Sequence, residues 1–406
     1  DVRYNVVNWV HRSTRGWSYG ASVRDPRTGE IIKGHVTLGS LRSRQDFMIA
    51  NAVTGPYADG KTIGDSLALV LARTRQLGAH EVGHTLGLRH NMGASSATPV
   101  DKLRDAEWLK KNGHTSSIMD YARFNYVAQP EDDIPVEDLM PRIGDYDKWA
   151  IQWGYAKYPT EMPVSEEKEF LAQLVTDSVT TNNRLWFGGE GRDFDPRSQT
   201  EDLGDDAMIA STYGIMNLQR IAPCLREWTR GKNSDDYSNL DQIYKDLVGQ
   251  YSDYVFHVTK NIGGIYVTPK TNGEEGEVYR PVSKEVQKQA LAFLDQHIFK
   301  EPKWLLRYDI LNAIQSPRSK ESVTTTMESV MVNLLGGSRL SRMTFISERY
   351  EYENPYRPEE YIDDLTYLIW GDMNVFYQTN AYRRKLQKSY VANMIALYKP
   401  DEADGV

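Results

Sequence analysis

The sequence predicts an α+β protein, in which a small twisted sheet and one long helix precede a mainly α-helical region. Three observations predict it. Runs rich in Val, Tyr and Trp fill the stretch before residue 40 and flank the turn-forming Asp25-Pro26-Arg27-Thr28-Gly29. Apolar residues then recur at three- and four-residue steps over Ile63–Leu86. From Asp145 onward almost every ordered stretch carries helical spacing. With 406 residues, 40% hydrophobic and 26% charged, the chain has a globular balance. Its length suits two or three domains.

The elements follow in order. Arg3–His11 is expected to be a strand. Tyr19–Arg24 and Glu30–Leu38 are expected to pair as a hairpin, because Asp, Pro and Gly at residues 25–29 supply turn geometry. Ser43–Val53 reads as a short helix and Tyr57–Lys61 as a turn. In Ile63–Leu86, Leu67, Val70, Leu71, Thr74 and Leu77 form the face expected to be buried, and Gly87 ends the helix because glycine tolerates the left-handed cap. Asp145–Tyr155 is the next helix. The prolines within Tyr158–Pro163 mark a boundary, giving a first domain at 1–160 and a helical region at 161–406, which an interruption near 275 can divide. Helices are expected at Glu166–Asp177, Asp205–Arg230, Leu240–Lys260, Ser283–Phe299, Lys320–Leu335, Pro358–Trp370 and Val375–Tyr398, with a strand or loop at Gly263–Pro281.

Charge and composition exclude several functions. Forty-eight basic against 56 acidic side chains give a net charge of −8, which argues against a nucleic-acid partner. The longest apolar run, Leu67–Ala72, cannot span a bilayer. A single cysteine, Cys224, rules out an internal disulfide and any zinc site needing two thiolates. The first residue is Asp1 and no signal peptide is present, so a processed form or a fragment is expected.

The chemistry concentrates in His80–His90, which reads H-E-V-G-H-T-L-G-L-R-H. His80 and His84, four residues apart, project from one face of a helix on successive turns. Gly87 breaks that helix, and the chain can return to deliver His90 from a third direction. Three neutral imidazoles suit Zn2+ and leave a coordination position open for water, the arrangement of a catalytic site. Glu81 follows the first ligand directly and is the natural general base. Surface or core histidines on an amphipathic helix are the bland alternative, which Gly87 and His90 in register argue against.

This motif resembles that of the metzincin zinc metalloproteases. Ser117-Ile118-Met119-Asp120-Tyr121 falls where that superfamily places its Met-turn. The resemblance implies that Met119 packs beneath the ligands and that Tyr121 donates to the developing oxyanion. Asn91, after the third ligand, departs from the familiar branches. Asp25–Glu30 and Ser117–Tyr126 are most similar to segments of large bacterial zinc-dependent metalloproteases. The resemblance covers residues 1–155 well and weakens toward 310. It implies a metzincin-like catalytic domain whose backing helix lies upstream of Asp1, so the domain is expected to be N-terminally incomplete. It also implies a peptide or protein substrate lying along an edge strand, and export to the periplasm or cell exterior. Glu30–Leu38 is the strand chosen for that edge, with Ile32, Gly34 and Val36 as substrate-binding residues. An internal strand is the alternative. His114, near the Met-turn, is a second residue considered for the cleft.

Weaker signals lie downstream. Asp193, Asp195, Glu201, Asp202, Asp205 and Asp206 form an oxygen-rich run of the kind that suits Ca2+, although the spacing is not that of an EF-hand and a helix-capping loop reads better. Cys224 reads as a buried apolar cysteine, and Gly188-Gly189-Glu190-Gly191 as a turn. Two functions follow from these readings: a zinc-dependent endopeptidase, or a binding protein on a metzincin-like fold. Chelator-sensitive cleavage separates them. Oligomeric state is not encoded in any pattern found.

Overall fold

A computed structural model describes residues 3–11, 18–39, 64–157, 162–191, 194–230, 236–271, 274–316, 321–371 and 379–398, with 64–70 as backbone only. The expected helix at Ser43–Val53 and turn at Tyr57–Lys61 lie outside these residues. The chain divides into two compact units. The first comprises Asp1–Arg192, Arg197–Ile221 and Pro269–Gly276; the second comprises Asp193–Pro196, Ala222–Thr268 and Glu277–Val406. The first unit therefore runs on past the expected boundary at 160.

In the first unit, strands β1 (Val6–Val10), β2 (Tyr19–Arg24) and β3 (Ile31–Gly39) form a sheet of order β1-β3-β2. β1 runs parallel to β3, in register from Val6 opposite His35 to Val10 opposite Gly39. β2 pairs antiparallel with β3, Tyr19 opposite Thr37 and Gly20 opposite Val36. The hairpin between them closes as its residues dictate. Asp25 accepts from the Arg27 amide at 2.8 Å, and Gly29 takes φ +76°.

This order corrects the expectation that β3 is an edge. Over His35–Thr37 its backbone is engaged on both sides, so Val36 has no open main-chain ladder to offer a peptide; Ile32 and Gly34 lie before the stretch that β1 covers, and the Gly34 amide donates to Asn5 Oδ1 at 2.8 Å. Val36 instead packs with Leu38 and Leu77. A Cβ on Gly34 would press the Thr85 side chain at 3.2 Å, so Gly34 marks where the sheet crosses the helix beneath. In the second half of the strand Val36, Thr37, Leu38 and Gly39 are all buried, in keeping with an internal strand.

Helix α1 spans Gly64–Thr85 under the sheet. Its buried positions include Arg73, Gln76, Leu77, His80 and Glu81, whereas Leu71, assigned to the buried face, is exposed. The unit continues with α2 (Ala106–Asn112), α3 (Asp145–Tyr155), α4 (Val164–Thr181) and α5 (Ala207–Ile221). α3 occupies the expected residues. α2 was not anticipated: it is only seven residues long, capped by the Asp105 side chain on the Trp108 amide and stopped at Gly113 with φ +67°. Leu109, Ala128, Ile134 and Leu139 form a core cluster beside it.

The second unit is helical, with a two-stranded ribbon of β4 (Ile265–Val267) and β5 (Tyr279–Pro281) where the helical pattern was expected to lapse. The helix expected over Asp205–Arg230 is broken: α5 stops at Ile221, a 3-10 turn at Ala222–Cys224 follows, and α6 is the single turn Leu225–Trp228. Pro223, without an amide hydrogen, accounts for the break. Cys224 is half-buried, not sealed in a core. Ser238–Thr259, Lys284–Leu294, Ser322–Leu334, Pro358–Trp370 and Ala381–Tyr398 match expected helices within their ends. Tyr308–Ile314 and Gly337–Arg349 were missed. Tyr251, Tyr254, Phe299, Tyr361 and Leu386 are among the fully buried side chains of this unit. Among the described residues, no helix is long and apolar enough to cross a membrane.

Candidate metal centre

The geometry begins with the end of α1. Gly87 adopts φ +93°, its amide donates to the His84 carbonyl at 3.0 Å, and the Leu88 amide donates to the Gly83 carbonyl at 3.0 Å. This pair of bonds is the glycine-dependent helix stop expected from the sequence. It has a second effect: the returning Leu88 carbonyl accepts from His84 Nδ1 at 2.9 Å. The break that redirects the chain toward His90 thus also orients His84.

All three histidines converge. Their ligand atoms lie within 4.8 Å of one another, the one such grouping of metal-binding side chains among the described residues. His80 is buried; His84 and His90 are half-buried. His80 Nδ1 donates to the Ile118 carbonyl at 2.7 Å, and His90 Nδ1 lies 2.5 Å from Glu190 Oε2. A carbonyl or a carboxylate can only accept, so each Nδ1 carries the proton and each Nε2 keeps its lone pair. His84 Nε2 and His90 Nε2 stand 3.1 Å apart. Two lone pairs at that distance repel, and a cation between them resolves the repulsion. Tetrahedral zinc needs nitrogens about 3.3 Å apart. The donor set therefore fits zinc. Burial pushes the His80 imidazole down to about 3 and that of His84 in the same direction, which keeps both rings neutral and able to ligate near pH 7.

Met119 is fully buried. A Cβ on Gly83 would overlap the Met119 sulfur, so the glycine between His80 and His84 admits the Met-turn against the helix. The first turn of α3 holds that turn in place. Asp147 accepts from Ser117 Oγ at 2.6 Å, from the Ile118 amide at 2.7 Å and from the Gly144 amide at 2.8 Å. Gly144 lies so close to Ser116 that a Cβ would collide with its carbonyl. Asp120 accepts from the Ser95 amide at 2.7 Å, and burial raises its carboxyl to about 7. The far end of α3 closes on α1, where Tyr155 donates to the Leu86 carbonyl at 2.7 Å.

Of the other residues read from sequence, Tyr121 lies beside two of the histidines, its ring centroid 4.9 Å from that of His90 and 5.6 Å from that of His80. Glu81 is buried within the same turn of α1. β2 passes directly over this turn: a Cβ on Gly20 would strike the Glu81 carbonyl and touch His84 Cβ. His114 does not line the site. It is fully buried, and its Nε2 donates to the Ala122 carbonyl at 2.9 Å.

Calcium finds no support. Asp195 accepts from the Val267 amide, Glu201 pairs with Arg123, Asp205 accepts from the Val100 amide, and Asp206 caps α5 through the amides of Met208 and Ile209. These four carboxylates serve as separate caps and ties; Asp193 lies outside the described residues.

Glu190 and Asn91 are the residues whose roles sequence reasoning did not assign. Asn91 Nδ2 donates to the Trp186 carbonyl at 2.9 Å, and its Oδ1 accepts from the Gly188 amide at 2.7 Å. An unusual residue after the third ligand was the only sequence signal. Glu190 sits a hundred residues away in a stretch that reads as an ordinary turn.

No curated protein and no solved structure matches the chain. A sequence profile described as Met-zincin does, over residues 63–375, which takes in the histidines, the Met-turn and most of the helices beyond them. A match of that extent, on a site with this geometry, settles the relationship: the chain belongs to the Met-zincin family.

Proposed function

We propose that the protein is a zinc-dependent endopeptidase that hydrolyses peptide bonds. The observation that carries this reading is the preparation of all three imidazoles: every Nδ1 is occupied by an outer acceptor, and the Nε2 atoms converge. Zinc held there supplies a Lewis acid that polarises the scissile carbonyl and lowers the pKa of water toward neutrality. Glu81 takes the proton of the attacking water and later delivers it to the leaving amine. Tyr121, beside His80 and His90, offers its hydroxyl to the oxygen that gains charge.

The peptide is placed along β2. Gly20 brings this strand over Glu81 and His84, and the side of β2 away from β3 is its open ladder among the described residues. An extended substrate added there gains affinity from main-chain hydrogen bonds with little side-chain selectivity. Export to the periplasm or cell exterior is in keeping with the family. Incubation with a degenerate peptide library, read by mass spectrometry, tests the proposal. Cleavage that a chelator abolishes and added zinc restores supports it; intact peptides in the presence of bound zinc refute it.

A further inference from the structure

We propose that Glu190 is the positioning residue of the third metal ligand, and that the loop at 186–191 is a built part of the metal centre. The inference rests on reading the histidines as a zinc site and not on the proteolytic reading. His80 and His84 are carried by a helix and oriented by backbone carbonyls, those of Ile118 and Leu88. His90 follows the Gly87 break and has no helix to fix it. Its ring is set by a side chain instead: Glu190 Oε2 at 2.5 Å from Nδ1. The carboxylate holds the proton on Nδ1, leaves the Nε2 lone pair facing the other two histidines, and makes His90 a stronger donor to a cation. The second carboxylate oxygen accepts from Arg89 Nε at 3.2 Å, which fixes the rotation of the carboxylate.

The loop that carries Glu190 is anchored beside the same histidine. Asn91 grips it at Trp186 and Gly188, the Met92 amide donates to the Gly189 carbonyl at 2.9 Å, and Ser198 Oγ donates to the Gly188 carbonyl at 2.9 Å. Gly93 and Gly188 touch backbone to backbone, with no room for a Cβ on either. Gly189 and Gly191 take φ +79° and +93°, so the chain turns on both sides of Glu190 and presents it to His90. A glutamate aimed this way by its own backbone and by the residue next to the ligand belongs to the ligand's support.

The test measures zinc affinity by competition with a chromophoric chelator, alongside the His90 tautomer by nitrogen-15 NMR of the metal-free protein. Glu190→Ala is expected to weaken zinc binding about ten- to a hundredfold and to lose the pure Nδ1–H tautomer. Glu190→Gln keeps an oxygen acceptor and is expected to restore the tautomer and most of the affinity. Arg89→Ala is expected to weaken zinc binding less than Glu190→Ala does, since Arg89 is exposed and reaches His90 only through the carboxylate. Circular dichroism melting checks that each variant is folded. Unchanged affinity in Glu190→Ala, failure of Gln to restore it, or a wild-type His90 protonated on Nε2 would overturn the proposal. Absence of zinc binding in the wild type would sink the zinc reading, while the tautomer would still report on Glu190. Absence of peptidase activity would touch neither measurement.

Discussion

Acid should weaken the first unit through His114, by an amount the structure sets. The ring is fully buried; its Nε2 donates to Ala122, and its Nδ1 has no hydrogen-bond partner among the described residues. Burial lowers its pKa from 6.5 to about 4. In the unfolded chain the ring takes its proton near 6.5. Between 6.5 and about 4 unfolding therefore binds a proton, so stability falls as the pH falls through that window and levels off below it. Linkage between those two values gives a loss of about 2.5 kcal/mol from pH 7 to about pH 4.5. Other groups overlap. His80 and His84 slope the same way in metal-free protein. Asp120, raised to about 7 from 3.8, slopes the opposite way, because its folded form holds the extra proton. The comparison with His114→Gln isolates the ring, since glutamine can keep the bond to Ala122 and does not titrate. Urea unfolding followed by tryptophan fluorescence should show the wild type losing about 2.5 kcal/mol relative to the variant over that range. A constant difference between the two proteins, or an NMR titration of His114 near 6.5, would refute the reasoning.

Two further outcomes follow from the support of the site. Asp147→Ala removes two hydrogen bonds that hold the Met-turn to α3 and a third that caps the helix, and should cost about 3 kcal/mol, read as a shifted urea midpoint; a variant as stable as the wild type would show that the Met-turn holds itself. Tyr121→Phe should bind zinc as before and lose about a hundredfold in kcat, the usual cost of one oxyanion donor; unchanged kcat would remove Tyr121 from the chemistry.

What was legible in the sequence is what is encoded locally. His80, Glu81, His84, Gly87 and His90 lie within three turns of one chain segment, and their spacing states their geometry directly. Met119 was legible through its neighbours, and the hairpin through Asp25 and Gly29. Helices with a full apolar stripe, such as Pro358–Trp370, were found to the residue. Gly337–Arg349 was not, because it opens on two glycines, Gly336 and Gly337, which read as a loop. Strand order was not legible either: nothing in the residues of β3 states that β1 lies on its other side. Glu190 and Asp147 escaped for a related reason. Each acts on the site from an element that only the folded chain brings near, and a carboxylate in a glycine turn or a helix cap looks the same whether or not a histidine or a Met-turn faces it.

The central claim is hydrolysis driven by zinc and Glu81. The most direct measurement is zinc content and peptide turnover for the wild type and Glu81→Ala side by side. The expected result is one zinc in each protein, chelator-sensitive cleavage by the wild type, and a loss of at least about a hundredfold in the variant. A variant that cleaves at the wild-type rate, or a zinc-loaded wild type that cuts no peptide, would contradict it.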